Sequence, residues 1–259
     1  MSQRATLKAK LRAREPMFAC FCSMPSPDMV EMIGYAGFDY VIIDAEHGTI
    51  SPETMVHMIR AADVAGIPAL VRVPSASEFH ILGVLEMGAA GVQVPHVRNA
   101  DQAREIVKHA LYSPLGERGI SSRTRAAMHG MVRPADYLSS QAQQTSIVLM
   151  IEDAATIPEV DAIARVPGVD AIFVGPSDLS ASLGRIGNPK HPDVVAALDT
   201  IHRKVLAAEG PALATTIQTA ADIPAIRAAG ATALCLNAVY ILATRLQAVV
   251  KELHPEVRP

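Results

Sequence analysis

The chain has 259 residues, half of them hydrophobic and 19% charged, enough to bury one large core, which excludes a disordered segment. Twenty-three Lys plus Arg stand against 26 Asp plus Glu, a net charge of −3 with no basic run, so no nucleic-acid footprint is visible. Eleven Met, five Phe, five Tyr and no Trp describe a core of small and aliphatic side chains, the filling of a close-packed α/β protein rather than an all-β lectin.

Residues 1–14 are positively charged and read as an amphipathic helix. They lack the long apolar run of a signal peptide or membrane span, so a cytoplasmic location with no membrane partner is expected. Beyond them, short apolar runs alternate with segments of helical period. The spacing predicts strands at 17–22, 39–43, 69–73, 91–94, 146–151, 170–174, 211–215 and 232–236. The predicted helices lie at 28–37, 52–66, 77–88, 100–109, 157–165, 192–210, 220–230 and 239–252. Several open on Ser, Asp, Asn, Thr or Pro and several end at Gly, as helix termini prefer. Eight strand–helix units of this size predict a closed (β/α)8 TIM barrel, one domain over 1–259. A doubly wound open sheet is the alternative, but no G-x-G-x-x-G turn follows the first strand. Residues 112–130, rich in Gly, Ser and Arg, form a loop long enough to suggest an active-site or interface role. Cys20, Cys22 and Cys235 read as reduced core thiols, since Cys20-x-Cys22 has neither zinc-site spacing nor a second pair.

A barrel places its chemistry at the C-terminal strand ends. There the second strand breaks into Asp44-Ala45-Glu46-His47, the third delivers Arg72, the fifth Glu152 and Asp153, and the sixth opens into Gly175-Pro176-Ser177-Asp178. Glu152 and Asp178 read either as acids favoured by a helix dipole or, together, as oxygen ligands for Mg²⁺ or Mn²⁺. His47 is either a satisfied core histidine or half of a general acid/base pair with Asp44, three residues earlier. Arg72 suits an ion pair with these acids, or equally a 2-oxo acid and its enolate. Ser177 would cap the following helix, whose free N–H groups suit a substrate carboxylate. His96 is an outside candidate for a second proton-handling group. Arg118, Arg123 and Arg125 are either solvated or reach into a site, a neighbouring subunit's included. None of the six lysines falls on a predicted strand, so Schiff-base chemistry is disfavoured and a metal must polarise the carbonyl instead.

Over about residues 17–252 the chain resembles the HpcH/HpaI family of metal-dependent pyruvate aldolases, related to the citrate lyase β subunit. The resemblance rests on AGFDYVIIDAEHG at 36–48, LVRVP at 70–74, VQVPHV at 92–97, PLGERG at 114–119, MIED at 150–153 and FVGPSDLSASLG at 173–184. It implies Glu152 and Asp178 as ligands of a divalent cation, Mg²⁺ first, with Mn²⁺ or Co²⁺ as alternatives. It also implies His47 with Asp44 as the acid/base dyad, Arg72 as the enolate clamp, and Ser177 and Asp178 as backbone donors to pyruvate. The implied reaction is reversible cleavage of a 4-hydroxy-2-oxo acid to pyruvate and an aldehyde. The implied assembly exchanges the final helix between subunits, in a hexamer built as a trimer of dimers, with the long loop reaching a neighbour's site. One position departs: Met150 stands where heptanedioate-type relatives carry Gln. That leaves room for a citrate-synthase-like condensation of oxaloacetate with acetyl-CoA, or for oxaloacetate decarboxylation as in macrophomate synthase, which has a His resembling His96. A non-catalytic metabolite-binding barrel is the remaining alternative.

Overall fold

Short buried strands, each followed by a helix with a defined start, set the architecture. The computed structural model describes residues 2–254; Met1 and residues 255–259 of the expected domain, and Met1 of the expected first helix, lie outside the described residues. In chain order the elements are α1 (Gln3–Arg12), β1 (Met17–Cys22), α2 (Pro27–Tyr35), β2 (Tyr40–Asp44), α3 (Pro52–Ala65), β3 (Ala69–Arg72), α4 (Glu78–Glu86), β4 (Gly91–Val94), α5 (Ala100–Ala110), α6 (Pro134–Gln144), β5 (Ser146–Ile151), α7 (Val160–Ala164), β6 (Ala171–Val174), α8 (Pro176–Ser182), α9 (Pro192–Ala207), β7 (Ala212–Thr216), α10 (Ile223–Ala228), β8 (Ala233–Asn237) and α11 (Ala238–Leu253). Ser26, Ser51, Ser77 and Asn99 each accept a first-turn N–H, starting α2, α3, α4 and α5 at the predicted places.

The strands pair in parallel and in sequence order, and β8 closes on β1. This is the expected (β/α)8 barrel. Alternate strand residues point inward: Ala19, Ala171, Ala212, Ala214 and Ala233 are small enough to leave room for Phe21, Tyr40 and Phe173 in the same interior cluster. Leu7 and Leu11 of α1 belong to that cluster too, so the N-terminal helix plugs the barrel mouth where the strands begin. Beside them Lys8 is buried, its Nζ 2.6 Å from both Asp170 Oδ2 and the Thr145 carbonyl, while Arg12 Nε donates to Asp170 Oδ1 at 2.8 Å. The N-terminal strand ends therefore carry a charged cluster formed by α1 and Asp170.

Because strands run one way and helices return, loops alternate between faces. Residues 112–130 follow α5 and precede β5, so they lie on the N-terminal face, opposite the C-terminal rim of their own barrel. The expectation that this loop serves the active site is thereby corrected for its own subunit. Before α6 it makes short turns over Arg125–Gly130, broken at Ala127, Met128 and His129 by non-helical backbone. Among the described residues no helix is long and apolar enough to cross a membrane.

Candidate active site

At the rim, β2 ends in Asp44, whose buried carboxylate is gripped by the guanidinium that β3 delivers. Arg72 Nε donates to Asp44 Oδ1 at 2.8 Å and Nη2 to Oδ2 at 2.6 Å. The β2–β3 register sets Asp44 opposite Arg72, which makes this fork possible. Asp44 Oδ1 also accepts the backbone N–H groups of Glu46 and His47, each at 3.2 Å. It thus meets His47 through the main chain rather than the ring. The carboxylate facing the ring is Glu46, with Oε2 3.8 Å from His47 Nε2.

Glu46, which sequence reasoning left without a role, is the hub of the site. Its Oε2 lies 3.2 Å from Arg72 Nη1 and its Oε1 3.5 Å from His96 Nε2. The signal for it was its position, two residues past Asp44 at the same strand end. His96, held at φ 54°, reaches across to β5: its N–H donates to Glu152 Oε1 at 2.9 Å and its Nδ1 lies 3.2 Å from that atom. Burial pushes the Glu152 carboxyl above the usual carboxylate range, the His96 N–H and ring charge pull it back, and Asp178 and Glu46 push it further up. Burial works against the charge on Arg72, but the bonds to Asp44 and the fields of Asp44, Glu46 and Glu152 outweigh it, raising its pKa.

Glu152 and Asp178 converge at Gly175. A Cβ there would lie 3.1 Å from Glu152 Oε2 and 3.7 Å from Asp178 Oδ2, so glycine leaves the ground between them open. Gly175 caps α8, and Ser177 sits inside the first turn, correcting the expectation that Ser177 is the cap. No side chain caps this helix, and Pro176 has no N–H. The N–H groups of Ser177 and Asp178 thus have no intrahelical partner. They line a cavity of about 110 Å³ with Arg72, Met150, Phe21, Phe173, Thr216 and Asn237. Thr216 and Asn237 were missed because β7 and β8 run one residue beyond their predicted ends. Met150 Sδ accepts from the buried Gln93 Nε2 at 3.2 Å, so a side-chain amide reaches this position from β4.

The loop arginines go elsewhere. Arg118 is buried, pairs with Glu86 at 2.6 Å and stacks 4.7 Å over the Tyr112 ring, which corrects its reading as solvated or reaching into a site. Arg125 bonds Asp63 and the Met87 carbonyl, and Arg123 is exposed. The three cysteines are free and buried, as expected.

Among the described residues no group of three or more His, Cys, Asp or Glu has metal-holding geometry. Two carboxylates still suit Mg²⁺, which keeps several waters and often takes only one or two protein carboxylates.

Fold and rim together define an α/β-barrel enzyme site lined with acid/base groups and one fixed cation, Arg72. The profile of the HpcH/HpaI aldolase/citrate lyase family matches residues 17–238, and the chain belongs to that family, a carbon–carbon lyase. It is 38% identical over 201 residues to a hydroxypyruvate/pyruvate aldolase of Paraburkholderia phytofirmans, covering 75% of this chain and 76% of that protein. It is 38% identical over 194 residues to a 5-keto-4-deoxy-D-glucarate aldolase of Klebsiella pneumoniae, covering 75% of each. Among solved structures, an HpcH/HpaI aldolase/citrate lyase family protein from Burkholderia cenocepacia superposes with a TM-score of 0.91 at 32% identity, over 96% of this chain and 99% of the other. The citrate synthase SbnG superposes with a TM-score of 0.84 at 32% identity, over 96% and 99%.

Proposed function

We propose that this aldolase cleaves a 4-hydroxy-2-oxo acid reversibly to pyruvate and an aldehyde, and that it depends on a divalent cation, Mg²⁺ first and Mn²⁺ or Co²⁺ as alternatives. The observation that carries the reading is the approach of Glu152 and Asp178 to one open point beside Gly175, on the rim where Arg72 is fixed. Bound between these carboxylates, a divalent cation supplies polarisation of the 2-oxo group.

The rest falls to the chain's own groups. The unpaired N–H groups of Ser177 and Asp178 receive the substrate carboxylate. His47, directly or through a water, takes the proton of the C4 hydroxyl, and Asp44 and Glu46 hold its backbone and ring in place. As the C3–C4 bond breaks, its electron pair moves to form the C2–C3 double bond and negative charge appears on the C2 oxygen. Of the five guanidinium N–H donors, three face Asp44 and Glu46, which leaves two of Arg72 for that oxygen. Protonation at C3 then gives pyruvate. His96, tied to Glu152 and Glu46, is the second group able to carry a proton.

A second reading keeps the site and changes the carbon partner: condensation of oxaloacetate with acetyl-CoA, or oxaloacetate decarboxylation. The similarity to SbnG and the amide-bound Met150 favour keeping it open. A panel of 4-hydroxy-2-oxo acids assayed for pyruvate, beside oxaloacetate with and without acetyl-CoA assayed for citrate, separates the two. Pyruvate and aldehyde in equal amounts support the aldolase; citrate alone overturns it.

The proposal extends to a homo-oligomer in which α11 packs on a second copy, as a hexamer of paired subunits. In support, Ala238 is the one buried side chain of α11, while Leu246, Val250 and Leu253 lie exposed. An almost wholly apolar groove of about 280 Å³ runs between α2 and α11. The 112–130 loop, absent from its own rim, is then free to approach a neighbour's, with the exposed Arg123 as its candidate side chain.

A further inference from the structure

The N-terminal face holds a second charged cavity that the rim chemistry does not use. It measures about 520 Å³ and is lined by Gln3, Arg4, Asp63, Arg125, His129 and Gln144. Two guanidinium groups crowd one point of its wall. A Cβ on Gly88 would lie 2.5 Å from Arg125 Nη1 and 2.9 Å from Arg4 Nη2, so the glycine, at φ +94°, lets both guanidinium groups reach the same point. Like charges this close repel, and a single carboxylate, Asp63, is present to offset them. Asp63 is itself bonded to Arg125, whose Nη1 also donates to the Met87 carbonyl at 2.9 Å. Among the described residues the Arg4 side chain makes no hydrogen bond, although it is half-buried. Burial first, then the charge on Arg125, lower its pKa, against the raising field of Asp63. The far wall adds backbone strain: Met128 and His129 stand at φ +50° and +56°, a left-handed conformation that residues with side chains adopt rarely and chiefly at functional positions.

We propose that this cavity binds a phosphate group, free or carried by a small metabolite. A tetrahedral dianion between Arg4 and Arg125 supplies the missing negative charge and enough oxygens for both forks. Gln3, Gln144 and His129 offer further donors, and the start of α1 contributes the positive end of its dipole. A carboxylate already present satisfies only one of the two arginines. The volume beyond the arginines accommodates an organic moiety. The site lies at the opposite mouth from Arg72, Glu152 and Asp178, so its occupancy is independent of the aldolase reading.

The test is calorimetric titration of the EDTA-treated full chain with inorganic phosphate and, separately, glycerol 3-phosphate, at constant ionic strength set with chloride. Wild type and Arg72→Ala are expected to bind at one saturable site per chain with equal affinity, and Arg4→Gln at least tenfold more weakly. The Arg4 side chain makes no hydrogen bond among the described residues, so the variant should keep its melting temperature and pyruvate-forming rate, separating lost binding from lost folding. Tighter binding of glycerol 3-phosphate identifies an organic phosphate as the ligand; equal binding identifies free phosphate. Unchanged affinity in Arg4→Gln, loss of binding in Arg72→Ala, or no saturable binding in wild type overturns the proposal.

Discussion

The two mouths of the barrel hold nearly the same residue types and use them differently. At the N-terminal mouth, Lys8 and Arg12 meet Asp170, which also accepts the Ile147 N–H at 2.9 Å, and Lys8 takes the Thr145 carbonyl. Within this cluster each charge is answered, so it holds α1 against the strands. At the C-terminal rim Asp44, Glu46, Glu152 and Asp178 share one arginine and two histidines. Negative charge is left over, and beside Glu152 the fields of Asp178 and Glu46 add to burial, the larger cause, in raising its pKa. A paired cluster is a clamp; an unbalanced one is an invitation to a cation and a substrate.

The sharpest way to break this comparison is to remove the surplus. Asp178→Asn is expected to lower pyruvate formation at least about 10³-fold in steady-state assays while leaving the melting temperature near wild type, because metal catalysis of this kind supplies several kcal/mol to the barrier. A smaller loss is expected from His47→Ala, roughly 10²- to 10⁴-fold in kcat, the range for general acid/base groups, with pyruvate binding nearly intact. Turnover equal to wild type in that variant removes His47 from the mechanism. At the other mouth the effect should be structural. Lys8→Met leaves Asp170 with Arg12 alone and is expected to cost about 3 kcal/mol in denaturant unfolding, with the rate per folded molecule unchanged. A rate loss there without a stability loss would erase the distinction between the two ends.

His202 calibrates the comparison most gently. It is buried on α9, neither ring nitrogen has a hydrogen-bond partner among the described residues, and burial lowers its pKa from the ordinary 6.5. Below pH 6.5 the unfolded chain therefore binds the proton more readily than the folded one. Stability is complete above that value and falls as pH drops through it toward the depressed folded pKa. Melting curves from pH 7.5 to 5 should decline for wild type and decline less for His202→Leu.

Much of the barrel is legible in the sequence because parallel strands covered on both sides are written as apolar runs, and because Ser, Asn and Pro mark helix starts. The helix α6 escaped: PADYLSSQAQQ is polar, and only its Pro134 announces it. The face of the 112–130 loop was available from the alternation of strands and helices, since a connection from helix to strand must lie at the strands' beginnings. Arg118 was not legible, because its partner Glu86 lies on α4, 32 residues earlier. At the rim, the residue types and the ion pair of Arg72 with the acids could be read from strand ends, but not which carboxylate faces which partner. Asp44 and His47 are close in sequence, yet the strand register hands the Asp44 carboxylate to Arg72 and leaves Glu46 facing the ring. Gln93 beneath Met150 is likewise a matter of register between β4 and β5, invisible along one strand.

The central claim is that Glu152 and Asp178 together hold the ion on which bond cleavage depends. It is tested most directly by measuring pyruvate release from a 4-hydroxy-2-oxo acid before and after exhaustive chelation, then on adding back Mg²⁺. Activity is expected to be lost on chelation, restored in wild type and not restored in Glu152→Gln. Full activity in the chelated protein would contradict the claim.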